Sequence, residues 1–286
     1  MDHLFYLATL ISVWIIFSLG ANLVIGYTGL MAMGQAAYLG VGAYTAAVLN
    51  IFFHVPFPLA MLAAMIVSAI VAAATLAPLL RLEGFYFALG TLGLNFLFFD
   101  LFHNLAPRVE GSEGLYGLVL PGFATGPRNL FLFVAAITIV CVLVCWRVDA
   151  SPYGRALRAT RDKPDALRSL GKEPRTFQLS VWALGGALSG LAGALYGATL
   201  FYIDPTLFTL NTSIAVLVFI GVGGLASLMG SVLGPVLLVG FTEGLRFLGI
   251  PGTITGPLQS ALYGLLLILL MLFRRQGLVG KHDFRE

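Results

Sequence analysis

Charge is what this chain has least of. Only 10% of its 286 residues are Asp, Glu, Lys or Arg, against about 25% in a soluble globular domain, which excludes a water-soluble fold. The charges are unevenly placed: residues 147–176 hold eight of the sixteen basic and four of the thirteen acidic residues. A net charge of +3, localised in this way, is too small for a nucleic-acid binder. Cysteine is nearly absent. Cys141 and Cys145 stand four apart in an apolar run, on one helix face, which is a poor geometry for a disulfide; both are expected to be small packing residues. The histidines are scattered at 3, 54, 103 and 282. No convergent metal or acid–base set results, which argues against a membrane-embedded enzyme. Only Met1, Asp2 and His3 precede the first apolar run. The basic n-region of a cleaved signal peptide is missing, so that run is expected to be a retained span.

What is abundant is apolar surface. Hydrophobic residues make up 59% of the chain, with a mean hydropathy of +0.94. The apolar runs are continuous rather than alternating, which favours helices over a barrel. Stretches long enough to span a bilayer fall at 4–25, 27–50, 58–80, 85–105, 129–146, 177–203, 213–230, 232–248 and 257–273. The expected fold is all-α: a polytopic integral membrane helical bundle of about nine spans (8–10), a single transmembrane domain over 1–286. The stretch 27–50 carries enough glycine to be broken or re-entrant. Lys and Arg mark cytoplasmic segments, so 147–176 and the tail with Arg274, Arg275, Lys281 and Arg285 are expected inside. Arg81 then lies inside, while loop 106–128 and the N-terminus lie outside.

Glycine is the second abundance, with 34 residues. Gly185, Ser189, Gly193 and Gly197 recur every four residues, and Gly186, Gly190, Ala194 and Ala198 follow one step round. Two adjacent small-residue ridges let helix backbones approach closely in a membrane. A short similarity between Gly26–Gly34 and Gly221–Gly230 hints at an internal repeat.

The dense polar segment has helix punctuation. Ser151 before Pro152 is an N-cap with proline at the first helical position, predicting a short helix to about Thr160. Asp162 or Lys163, before Pro164, starts a second, with Asp165 in its first turn and Gly171 as its stop. Such a basic amphipathic segment can lie on lipid headgroups. Its four interspersed acids fit a protein-docking surface better than an anionic leaflet.

At this point a resemblance becomes specific. Ser151-Pro-Tyr-Gly-Arg-Ala-Leu-Arg-Ala-Thr-Arg-Asp162, followed by Ala166-Leu-Arg-Ser-Leu-Gly171, resembles the cytoplasmic loop of branched-chain amino-acid ABC importer permeases, specifically the M-type subunit. The stretches Gly26–Thr45, Gly111–Gly117, Gly185–Tyr196 and Gly223–Gly234 are similar too, in the family's order. The resemblance implies a permease subunit in the bacterial cytoplasmic (inner) membrane, with no enzymatic activity of its own. Implied partners are a sister permease, two cytoplasmic P-loop ATPases that bind ATP and Mg, and an extracytoplasmic solute-binding protein. No Gly-x-x-x-x-Gly-Lys-[Ser/Thr] sequence is present in this chain, so no cofactor is expected here and the energy comes from the partners. Residues 151–171 would be the ATPase-coupling element. Tyr153, Arg155, Arg158, Arg161, Asp162 and Asp165 would orient it, Leu157, Leu167 and Leu170 would anchor it, and Gly171 would end it. The implied solute is a branched-chain amino acid or a related small polar molecule such as urea, an amide or a small carboxylate.

Ionisable groups within spans are few, since a charge at the bilayer centre costs roughly 2.5–3.5 kcal/mol. Glu243 with Arg246, and Asp100 with His103, are each three apart and are expected as interfacial pairs. Among uncharged polar residues, Asn22, Thr28, Gln35, Thr91 and Asn95 are candidates for a translocation path, with interhelical hydrogen bonding the competing role. An ion-coupled secondary transporter or channel would also explain the spans, but it normally needs an ionisable site at the midplane.

Overall fold

The computed structural model describes residues 2–82, 84–105 and 114–242, with the last helix continuing to 247 and isolated residues at 261, 264 and 265. Its helices are α1 (Asp2–Thr28), α2 (Gln35–Ile51), α3 (Phe57–Leu79), α4 (Phe85–Leu105), α5 (Pro127–Ala150), α6 (Pro152–Asp162), α7 (Pro164–Ser169), α8 (Pro174–Leu200), α9 (Leu210–Gly223) and α10 (Leu228–Phe247). Proline opens α5, α6, α7 and α8, where its missing N–H costs nothing and its fixed φ suits the first turn.

Side-chain contacts set the direction of each helix. Phe5 meets Phe131, and the Thr138 hydroxyl reaches the Ser12 carbonyl, so α1 and α5 run parallel. Gly20 lies against Gly185 and Trp14 against Tyr196, so α8 runs antiparallel to α1. Gly186 faces Ala72 while Gly190 faces Ala64, which makes α3 antiparallel to α8. The ends of α1 and α5 and the start of α8 therefore share one end of the bundle with α6 and α7. At the opposite end β1 (Leu115–Tyr116) pairs antiparallel with β2 (Tyr202–Ile203), Leu115 opposite Ile203.

The axis of the bundle is α8. Its apolar window is 61% buried, against 28% for α5, and its most extensive contacts are with α3, α2 and α1. Both small-residue ridges are used within the chain. Gly185 and Ser189 meet Gly20, Gly193 meets the Leu39 carbonyl, and Gly186 and Gly190 meet Ser68 and its neighbours. Any side chain at Gly193 would collide with backbone rather than with a movable neighbour.

The all-α membrane bundle is as expected, and the helices refine its spans. Five helices are long and apolar enough to cross a membrane among the described residues: α1, α3, α4, α5 and α8. The stretch 27–50 is interrupted, because residues 29–34 are not helical and only α2 follows. The stretches 213–230 and 232–248 are not two straight crossings. They are α9, of 14 residues, and α10, which meet at a 117° bend; the pair counts as at most one further span or a re-entrant loop. Gly223, Gly224 and the left-handed Ala226 (φ 56°) make that bend. The stretch 257–273 lies outside the described residues. Cys141 and Cys145 are both free and buried, as expected of packing residues.

Replacing Gly193 by valine is expected to cost about 1–3 kcal/mol through overpacking, read as a lower melting temperature in detergent. Gly93 has nothing within 4 Å of its would-be Cβ, and alanine there, which removes a glycine from a helix interior, should hold or slightly raise the melting temperature.

Candidate functional site: a charged helical platform and two helix breaks

At the charged end, the punctuation read from the sequence forms as expected. The Ser151 hydroxyl accepts the Gly154 N–H at 3.2 Å, Lys163 separates α6 from α7, and Gly171 takes φ 72°. The orientation of the side chains differs from expectation. Leu157 and Leu167, expected as anchors for a partner, are 0% and 3% exposed and already packed within the chain. An amphipathic helix beside a membrane bundle buries its apolar stripe on the nearest apolar surface, and here that surface is the chain's own. Leu170 alone of the three is open, at 76%.

The arginines divide in the same way. Arg158 lies 3.2 Å from the Asp149 carboxylate, donates to the Asp149 carbonyl at 2.9 Å, and sits 5.7 Å above the Tyr27 ring. The Tyr27 hydroxyl closes the set by donating to the same carboxylate at 2.6 Å. Arg161 donates to the Gly26 carbonyl at 2.7 Å. Both arginines thus pin α6 to the last turn of α1. The Tyr153 ring lies against Phe177 and its hydroxyl shares a hydrogen bond with Ser180, both on α8. The open face carries Arg155, Asp162, Lys163, Asp165, Leu170, Gly171 and Lys172. On it Arg168 pairs with Asp165 at 2.9 Å, an exposed pair worth little stability.

Just inside this platform lie the two breaks, 29–34 and 224–227. Non-helical backbone in a membrane must have its polar groups satisfied by the protein, and here named side chains do it. At the second break the Asn22 side chain accepts the Ala226 N–H at 3.0 Å and donates to the Ser227 carbonyl at 2.9 Å and the Ser231 hydroxyl at 2.6 Å. Gly26 packs directly on the Ala226 backbone, with no room for a side chain. At the first break Thr28 receives the Leu30 N–H at 3.3 Å, Thr91 the Met33 N–H at 3.0 Å, and Ser213 on α9 the Ala36 N–H at 3.0 Å. The two segments whose sequences hinted at a repeat are thus both helix interruptions, and they touch.

Of the five path candidates, Asn22, Thr28 and Thr91 hold the breaks. Gln35 and Asn95 are each 1% exposed, and both amide atoms of Gln35 and Oδ1 of Asn95 lack any hydrogen-bond partner. Asp100 and His103 do not pair. His103 stacks on Phe99 at 6.4 Å, and Asp100 is exposed. The Glu243–Arg246 pair lies outside the described side chains. Among the described residues no group of three or more His, Cys, Asp or Glu could hold a metal ion. Sequence reasoning missed Gly26, Tyr27, Asp149, Ser213 and Ala226–Ser231; the Gly26–Gly34 and Gly221–Gly230 similarity was the signal that could have found several of them.

A helical bundle with several membrane-length apolar helices, two helix interruptions and a charged platform at one end defines a polytopic membrane protein. Comparison with known proteins places it more closely. A family model described as "Branched-chain amino acid transport system / permease component" matches residues 3–271. The "High-affinity branched-chain amino acid transport system permease protein LivM" of Escherichia coli (strain K12) is 31% identical over 96% of this chain and 69% of its own length. The protein of the same name from Salmonella typhimurium gives the same figures. The "Probable branched-chain amino acid transport permease protein LivM" of Methanocaldococcus jannaschii is 24% identical over 92% of this chain and 89% of its own. No solved structure matches. The chain belongs to the branched-chain amino acid transport system permease component family: it is an ABC-importer permease subunit, a transport component and not an enzyme.

Asn22→Ala should leave the Ala226 N–H, the Ser227 carbonyl and the Ser231 hydroxyl without this partner, at about 1–3 kcal/mol for each buried group left unpaired. A melting temperature lowered by several degrees in the purified protein, with Asn22→Leu no better, checks it.

Proposed function

We propose that the chain translocates branched-chain amino acids across the cytoplasmic (inner) membrane as one half of a permease pair. The names of its LivM relatives support this solute class. In this reading a second permease subunit completes the path, two cytoplasmic ATPases bind ATP and Mg, and an extracytoplasmic binding protein delivers the solute. The platform α6–α7 faces the cytoplasm, as its basic residues favour, and the N-terminus faces outward.

The observation that carries the mechanism is the pinning of α6 to α1. An ATPase that engages the open face, around Arg155, Asp165 and Leu170, moves α6 as it closes on ATP. Arg161 and the Arg158–Asp149–Tyr27 set transmit that movement to the last turn of α1. Gly26 in that same turn, and Asn22 one turn back along α1, hold the bend between α9 and α10. Displacement of the platform therefore reaches the interrupted helices through backbone and charge-assisted contacts, which are stiffer than apolar packing. Alternating access follows if the breaks open to opposite sides in turn.

A tagged chain isolated in mild detergent should bring down P-loop ATPases and a second polytopic subunit, identified by mass spectrometry. Recovery of the chain alone, competent for uptake without ATP, would replace this reading with a secondary transporter. Within the complex, Arg158→Glu or Arg161→Glu should lower uptake at least tenfold while ATP hydrolysis persists. Unchanged transport in both variants at normal expression would remove the coupling role.

A further inference from the structure

Among the described residues, five side chains leave a buried polar atom unpaired: the hydroxyls of Ser18, Tyr44 and Ser189, and two amides, Gln35 and Asn95. Gln35 leaves both ends of its amide unpaired, and Asn95 leaves its carbonyl oxygen unpaired, at 1% exposure each. Buried polar groups are nearly always paired, and each exception calls for an explanation. An apolar residue at either position would carry no such desolvation penalty.

Their location is specific. Asn95 is the eleventh residue of the 21-residue α4, about 15 Å along it at 1.5 Å per residue, and so near the middle of a hydrocarbon core about 30 Å thick. One turn earlier, Thr91 receives the Met33 N–H and packs against Gly34. About two turns later Phe102 stacks on Tyr44, with ring centres 4.7 Å apart. Thus α2 and α4 run side by side in the same direction, and Asn95 lies in register with the first turns of α2, which begins at Gln35. The N-terminus of α2 accordingly opens within the membrane rather than at its surface. Gly34 is its N-cap, and of the first N–H groups that of Ala36 is taken by the Ser213 hydroxyl and that of Ala37 by the Gly34 carbonyl. A helix start carries partial positive charge and favours an anion, and discontinuous helices at the midplane present such ends to anionic solute groups.

We propose that Gln35 at the start of α2, together with Asn95 alongside it on α4, forms a transient subsite for an α-amino-acid zwitterion. The Gln35 amide N–H takes the carboxylate, favoured by the positive end of α2, and the Asn95 carbonyl oxygen accepts from the ammonium group. This inference rests on the reading of the chain as an amino-acid permease. Both amides are sealed in the conformation described here, so the subsite fills only when α2 and α4 part. Neither Gln35 nor Asn95 is charged, which suits a site that must release its occupant: conduction needs binding strong enough to enter and weak enough to leave.

The test uses the assembled complex in proteoliposomes, with radiolabelled leucine delivered by the binding protein and co-purification of the other subunits as the check on folding. Gln35→Leu and Asn95→Leu should each reduce uptake at least tenfold. The decisive comparison is between acidic replacements that keep side-chain volume. Asn95→Asp offers a better acceptor for ammonium and should recover much of the uptake lost in Asn95→Leu. Gln35→Glu places negative charge against the carboxylate and should recover none of the Gln35→Leu loss. If the leucine variants fail to assemble, the two acidic variants alone decide. Equal behaviour of Asn95→Asp and Gln35→Glu, or uptake within twofold of wild type in Gln35→Glu, overturns the subsite. If the wild-type complex assembles and hydrolyses ATP yet imports no branched-chain amino acid, the solute reading itself fails and the subsite with it.

Discussion

Close backbone approach along α8 is the constraint on which the rest of this structure depends. Lipid tails are as apolar as leucine, so helices in a bilayer gain little from hiding apolar side chains from one another. Dispersion between surfaces in tight contact has to serve instead, and it falls off steeply with separation. Glycine, serine and alanine at four-residue intervals bring α1, α2 and α3 onto α8 with backbone meeting backbone at Gly20, Leu39 and Ala64. Once α1 is seated, its last two turns are fixed in place. Asn22 and Gly26 then face the bend at Ala226, while Tyr27 faces Asp149 at the end of α5.

The polar contacts have a different task from the small-residue ones. Each break frees N–H and C=O groups that a continuous helix would have paired; apart from the local bond to Thr28, the bonds described replace such pairings with long-range partners: Asn22 across to Ser227, Thr91 to Met33, Ser213 to Ala36. The platform is joined to this same network by Arg161 through the Gly26 carbonyl. One short stretch of α1, residues 22–28, is therefore common to the bend, the first break and the platform. No comparable polar crossing links α3 or α5 to the breaks among the bonds described.

Much of this was legible in the sequence, for identifiable reasons. Apolar length revealed the membrane helices because a span is a one-dimensional signal, and Ser151-Pro152, Pro164 and Gly171 marked the platform helices because caps are local chemistry. The ridges on α8 were visible as a period of four. The facing of the platform was not visible: Leu157 and Arg158 look alike as partner-facing residues until the end of α1 is placed beside them. Asn22 read equally well as a path residue or as an interhelical bond, and only the position of Ser227, more than 200 residues away, separates the two. The bend at Ala226 escaped because the apolar run continues through it, so hydropathy showed no gap where the direction of the chain changes.

The spacing of the small residues on α8 also limits how the bundle can deform. A helix seated on ridges that repeat every four residues finds its next equivalent seat about 6 Å further along. Any smaller slip sets a bulky side chain such as Leu188 or Leu191 where backbone needs clearance. Sliding of α1, α2 or α3 along α8 is thus stepped, with nothing stable between seats. Together they behave as a single rigid block under small loads, and the compliance of the molecule is left to α4, α5 and the bent pair α9–α10 around it.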